Sequence, residues 1–209
     1  MADGSTTLGA LLMQAGWTMV PLYLCSLAAT VLVVKKLREF RSRRIDDISP
    51  LERIPEELGP EELTALAALD TPEASPLEQV LGTAGHAALH TPSRVEERAQ
   101  RTAVAALDVL EHGLGAVSFI AQAAPLFGLL GTVIGMVELF SSMESAGDAI
   151  DTTTLSSGIW KALLTTAAGL IVAIPTLGAH AWLGSRLDQL RLQMDEAIGR
   201  VMDRRADGA

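Results

Sequence analysis

The sequence offers little to chemistry that needs soft ligands or disulfides: its 209 residues include one cysteine and four histidines. The lone Cys25 excludes an intrachain disulfide, so cysteine usage says nothing of the redox compartment. Aromatic residues make up only 4% of the chain, too few for a large aromatic core. No basic patch stands apart from the apolar stretches, which argues against nucleic acid as a partner. There is no P-loop, GxGxxG or nucleophile–base arrangement, so the chain does not read as an enzyme. His86 and His90 stand at i and i+4 without a third ligand nearby, and no metal or resident cofactor is expected. Repeats and low-complexity tracts are also missing.

What is present in quantity is apolar surface. Hydrophobic residues make up 49% of the chain, and the mean hydropathy is +0.31. Soluble domains of this size rarely reach a positive mean, so membrane insertion is the leading expectation. A bilayer core of about 30 Å calls for roughly 20 apolar residues per helix. Three stretches qualify: Trp17–Val34, Phe119–Met143 and Ile159–Leu183. The N-terminal residues before the first stretch carry no basic segment, so that stretch reads as a permanent anchor rather than a cleaved signal.

Cations near the span ends predict the orientation. Lys35, Lys36, Arg38, Arg41, Arg43 and Arg44 follow the first span; Arg186, Arg191, Arg200, Arg204 and Arg205 follow the third. Between the second and third spans, Glu144–Gly158 holds Glu144, Asp148 and Asp151 but no lysine or arginine. Both basic flanks therefore belong in the cytoplasm. The expected layout is a periplasmic N-terminus (1–16), a first transmembrane helix (17–34) and a cytoplasmic helical region (35–118). A second transmembrane helix (119–143), a periplasmic loop (144–158), a third transmembrane helix (159–183) and a cytoplasmic C-terminal helix (184–209) follow.

Most of the net charge of −9 comes from one region, where residues 46–78 carry ten acidic side chains against Arg53 alone. Pro50, Pro55, Pro60, Pro72 and Pro76 fall in the same window. It reads as a solvated surface of short, proline-started helices, the alternative being an acidic docking site for a basic partner. Residues 60–69 and 76–89 are expected to be two such helices. From Ser93 onward the apolar spacing predicts one long helix continuing into the second span, with Ser93 and Glu96 as its capping box. Leu187, Leu190, Met194, Ala197 and Val201 recur at intervals of three and four. They predict an amphipathic helix continuing the third span.

Within the spans a few residues break the apolar pattern. Gly131 and Gly135 form a small-xxx-small pair and Gly128 precedes them, which suits close helix packing in lipid; Gly169 reads as a similar contact in the third span. Pro125 and Pro175 are candidate kinks, tolerable only against protein or water. Thr132, Thr165 and Thr166 are hydroxyls that either bond back to their own helix or line a polar path for a cation. His180 reads as an interfacial residue rather than a proton relay. Glu138 and Lys161 are ionisable and fall at similar depth, so an ion pair within or between subunits is expected. The alternative is that Lys161 snorkels to headgroups while Glu138 reaches water.

The segments APLFGLLGTVIGM and GIWKALLTTAAGLIVAIP, in this order and topology, resemble the MotA/TolQ/ExbB family of ion-driven motor stators, in particular its three-span ExbB/TolQ branch. The resemblance implies an all-α membrane protein assembled as a homopentamer, with spans two and three around a central pore. It implies a dimeric single-span partner of the ExbD/TolR kind in that pore, whose membrane aspartate carries the coupling ion, H⁺ or Na⁺. It also implies a TonB/TolA-like protein downstream and an inner-membrane location. The family's pore threonines fall on Thr132 and Thr166. One position departs: Lys161 stands where ExbB and TolQ proteins often have glutamate. A pentameric membrane scaffold that has lost ion coupling is the competing expectation.

Overall fold

The computed structural model describes residues 19–71, 73–146 and 152–204. The N-terminal segment, Trp17 at the expected start of the first span, Pro72, Asp148 and Asp151 of the loop, and Arg205 lie outside the described residues. Those described are helical and contain no extended strand. In chain order the helices are α1 (Val20–Ser42), α2 (Ser49–Glu52), α3 (Pro60–Ala67), α4 (Pro76–His90), α5 (Val95–Glu111), α6 (Leu114–Ala146) and α7 (Thr152–Arg204). Three helical stretches are long and apolar enough to cross a membrane, within Val20–Ser42, Pro92–Glu144 and Leu155–Arg204. Two compact units divide the chain: residues 1–34 with 113–180, and residues 35–112 with 181–209.

The first unit holds the apolar parts of α1, α6 and α7. Its buried cluster is made of Met19 and Leu22 with Ala124, Ala168 and Ala173, and half-buried Phe127, Leu164 and Val172 pack against it. Large side chains point outward instead, among them Leu24, Leu27, Leu129, Phe140, Ile171 and Ile174. Small residues inside and large apolar residues outside invert the pattern of a soluble core. That is the arrangement lipid favours, because helices there gain by close contact rather than by hiding apolar surface. A groove of about 270 Å³ between α1 and α7 is lined by Ser26, Thr30, Val33, Val172, Pro175 and Thr176, among others.

The second unit is built like a water-soluble helical domain. Leu77, Val80, Leu81, Leu107, Leu110, Leu190, Met194 and Val201 are buried in it, and its charged residues lie mostly outside. Pro60 and Pro76 both start their helices in the first turn, as their spacing predicts. Helix α4 lies tightly on α3 because Gly82 and Gly85 have no side chain. A Cβ at Gly82 would meet the Asp70 backbone nitrogen at 2.6 Å. The C-terminal part of α7 is tied to the loop after α2. The Leu58 N–H donates to the Arg204 carbonyl at 3.0 Å, and the Arg204 guanidinium donates to the Ile54 carbonyl at 2.8 Å. Asp47 is held below the usual carboxylate range by the Ser49 side chain, then by the Ser49 N–H at 3.0 Å.

Two local expectations are corrected. The helix before the second span is not continuous with it: α5 ends at Glu111, α6 starts at Leu114, and Gly113 between them has φ 87°. A left-handed residue ends a helix, and only glycine adopts that conformation without a Cβ penalty. Gly113→Ala is therefore expected to cost about 1–2 kcal/mol, read as a lower melting temperature of the purified protein. The second correction concerns the capping box. Ser93 lies inside a 3-10 turn, Pro92–Arg94, so Arg94 takes the cap position of α5 and makes no side-chain cap bond. The box forms at α4 instead: Glu78 N–H donates to Ser75 Oγ at 3.3 Å and Ser75 N–H to Glu78 Oε2 at 2.6 Å. Pro76 explains the difference. It locks the first helical residue and leaves Ser75 extended at ψ 158°, the geometry a cap needs.

Candidate functional site

The seam between α6 and α7 is the most tightly specified feature of the first unit. The two helices run antiparallel, and Gly128, Gly131, Gly135 and Leu139 of α6 meet Gly169, Thr165, Ala162 and Gly158 of α7. A Cβ at Gly128 would stand 2.9 Å from the Thr165 carbonyl oxygen, and one at Gly169 would stand 2.7 Å from the Ala124 carbonyl oxygen. Backbone therefore faces backbone, which only glycine permits. The glycines read from the sequence all lie in this seam. Gly158 and Ala162 were missed, although Gly158, Ala162, Thr165 and Gly169 follow intervals of 4, 3 and 4 that mark one helix face.

Hydroxyl groups close the seam. Thr165 is 2% exposed, and its Oγ1 lies within bonding distance of the Ala162 carbonyl at 2.7 Å and the Gly128 carbonyl at 3.1 Å. Thr166 Oγ1 donates to the same Gly128 carbonyl at 3.1 Å. Thr132 Oγ1 donates to its own helix, to the Leu129 carbonyl at 2.6 Å. Thr165 is thus enclosed between the helices, whereas Thr132 and Thr166 are only half-buried. A threonine hydroxyl has one proton to give and two lone pairs. With the proton committed to a carbonyl, what Thr132 and Thr166 offer outward is acceptor oxygen.

The helix repeat assigns the remaining site residues to flanks. At about 100° per residue, Thr132 and Thr166 fall roughly 60–70° to one side of the seam, and Glu138 and Lys161 roughly as far to the other. On the threonine flank Leu129, Leu170 and Leu177 are exposed. The other flank carries Phe127, Leu164, Ala168 and Val172, against which Met19 and Leu22 of the α1 segment pack. Among the described residues α1 therefore packs on one side of the helix pair, at the level of Ala124–Phe127 and Leu164–Val172, and the threonine side is open.

Glu138 and Lys161 are both exposed, and no ion pair within the chain joins them among the described residues. Pro125 and Pro175 lie inside helices that continue past them. Each lacks an N–H, so the carbonyls of Ala121 and Ile171 lose their helical donors. Thr176, next to Pro175, donates to the Val172 carbonyl at 2.7 Å. His180 is half-buried near the end of the first unit. In the second unit the His86 and His90 rings stand 4.5 Å apart on the exposed face of α4. No group of three histidine, cysteine or carboxylate side chains gathers among the described residues.

Residues 68–196 match the sequence model of the MotA/TolQ/ExbB proton channel family. The chain belongs to this family. It is 31% identical over 114 residues to an ExbB homolog of Methanothermobacter thermautotrophicus, covering 54% of this chain and 40% of that protein. It is 33% identical over 89 residues to the biopolymer transport protein exbB1 of Vibrio cholerae, covering 43% of this chain and 39% of the relative. ExbB-like 3 of Synechocystis sp. is matched over more of its length, 29% identical across 172 residues and 79% of each chain. The matched segments of the first two thus span about two fifths of those relatives. With its three apolar helices, this member of the MotA/TolQ/ExbB family is a multi-pass membrane protein. The family match includes the whole α6–α7 seam and both threonines of the open flank.

Proposed function

We propose that this chain is an ExbB/TolQ-like stator subunit of an inner-membrane ion-driven motor, and that the open α6–α7 flank faces a central pore. The observation that carries the reading is the placement of Thr132 and Thr166 on one uncovered flank, each with its proton bound internally. Such oxygens can accept from hydrated protons or replace water around Na⁺ without the desolvation cost of a fixed charge. Five copies would close a ring with α1 outside. A dimer of a single-span ExbD/TolR-like partner would occupy the pore and supply the aspartate that takes up and releases H⁺ or Na⁺. A TonB/TolA-like protein would pass the work to the outer membrane or envelope. The cations after α1 and in α7 support a cytoplasmic C-terminus and a periplasmic N-terminus.

The test is ion flux through the complex with its partner in liposomes. Thr132→Ala and Thr166→Ala are each expected to lower flux about fivefold or more, the equivalent of about 1 kcal/mol for one lost hydrogen bond. Serine at either position keeps the oxygen and is expected to keep most of the flux. Unchanged flux in both alanine variants would refute the pore face. An assembled pentamer that carries no flux even as wild type would mark a scaffold without ion coupling.

A further inference from the structure

We infer that the second unit holds a docking pocket for a basic protein segment, which it grips by one bulky apolar side chain. The pocket has a volume of about 230 Å³ and lies between the α2 segment, α3 and the start of α4. Pro50, Pro55, Ala65, Leu66 and Leu69 give it apolar walls. Small-molecule sites measure about 300–1,000 Å³, so this one suits a single large side chain rather than a cofactor. Its wall is built in advance. Helix α2 has only 4 residues, yet α7 pins the chain around it. Arg200 donates to the Leu51 carbonyl at 3.2 Å and Arg204 to the Pro55 carbonyl at 3.0 Å. A pocket held open before binding avoids the cost of ordering it on contact. Of its lining residues, only Leu69 and Glu78 fall within residues 68–196 that match the family. The pocket thus lies largely outside the family segment and does not depend on the pore.

Charge decides the kind of partner. Glu62 and Glu78 stand on the lining against Arg53, its one cation. Glu78 is fixed there, because the Ser75 N–H donates to its Oε2 at 2.6 Å. Glu52, Glu56, Glu57 and Glu61 adjoin lining residues in sequence, and all four are exposed. No ion pair engages any of these six carboxylates among the described residues. Carboxylates gathered in this way repel one another, and a cationic partner turns that repulsion into attraction. Lysine or arginine on either side of the anchor would meet them, while the anchor itself leaves water for the apolar wall. An acidic segment would be turned away by the same groups.

The experiment titrates the full-length protein in detergent into a dye-labelled peptide of lysines and alanines with one central tryptophan, read by fluorescence anisotropy. Replacing the tryptophan by alanine is expected to weaken binding about tenfold or more, because the burial of one large apolar side chain is lost. Ala65→Phe fills the pocket from an exposed position of α3, and should bring the tryptophan peptide down to the level of the alanine one. Glu62→Gln should weaken both peptides, Arg53→Gln should tighten both, and added salt should weaken wild-type binding. Equal affinity of the wild-type protein for the two peptides would overturn the inference, whatever the variants do. Weaker binding with Arg53→Gln would mark an anionic ligand and overturn it as well. Self-association that Ala65→Phe abolishes, with no gain from the tryptophan, would assign the pocket to a second copy and likewise overturn it.

Discussion

Gly128→Val is expected to force α6 and α7 apart, read as a melting temperature of the purified protein lowered by about 10 °C. The reason is the backbone on the other side of the seam. Even the first atom of a side chain at Gly128 would stand 2.9 Å from the Thr165 carbonyl oxygen and 3.0 Å from Thr166 Cα. Neither is the end of a flexible side chain, so relief requires the helices to separate. Separation breaks the hydrogen bonds from Thr165 and Thr166 to the Gly128 carbonyl and leaves the seam without its contacts. Overpacking alone costs about 1–3 kcal/mol, and the lost hydrogen bonds add about 1 kcal/mol each. Gly169→Val should behave alike, because its Cβ would meet the Ala124 carbonyl at 2.7 Å. Gly178→Ala is the control: nothing else in the chain lies within 4 Å of a Cβ there, so the melting temperature should be nearly unchanged. A Gly128→Val protein that melts like the wild type would show that the seam is not as close as described.

Leu190→Ala is expected to destabilise the second unit by about 2–5 kcal/mol, while Leu192→Ala leaves it nearly unchanged. The two leucines are two residues apart on α7, yet Leu190 is 1% exposed and Leu192 is 69% exposed. Truncating Leu190 leaves a cavity beside buried Leu187 and Met194, its neighbours on the same face of α7. Leu192 has no such setting. Thermal melting followed by circular dichroism separates the cases. Equal losses in the two variants would contradict the register of the C-terminal part of α7.

Hydropathy and periodicity made much of this architecture readable before any coordinates. The three apolar helices and the inward set Leu187, Leu190, Met194, Ala197 and Val201 follow from side-chain free energies that each residue carries locally. Local rules failed where two of them competed. The Ser93–Glu96 spacing matches a capping box as well as Ser75–Glu78 does, but Pro92 draws Ser93 into a turn while Pro76 leaves Ser75 extended. The apolar spacing from Ser93 runs on through Gly113 without interruption, so periodicity alone does not mark the break there. The Gly113 φ of 87° depends on how the chain must turn, which composition does not record.

The sequence by itself determined that the chain is helical, that three of its stretches are apolar enough to cross a membrane, and which residues in them are small, hydroxylic or charged. Only the tertiary structure decided how those residues sort into faces. A helical repeat relates Lys161 to Thr166 within α7, but relating either to Thr132 or Glu138 needs the register between two helices. That register is set by where glycines let one backbone approach another. The approach encloses Thr165, leaves Thr132 and Thr166 on one flank and turns Lys161 with Glu138 to the other, because two rigid antiparallel helices in contact along one stripe have their flanks assigned together.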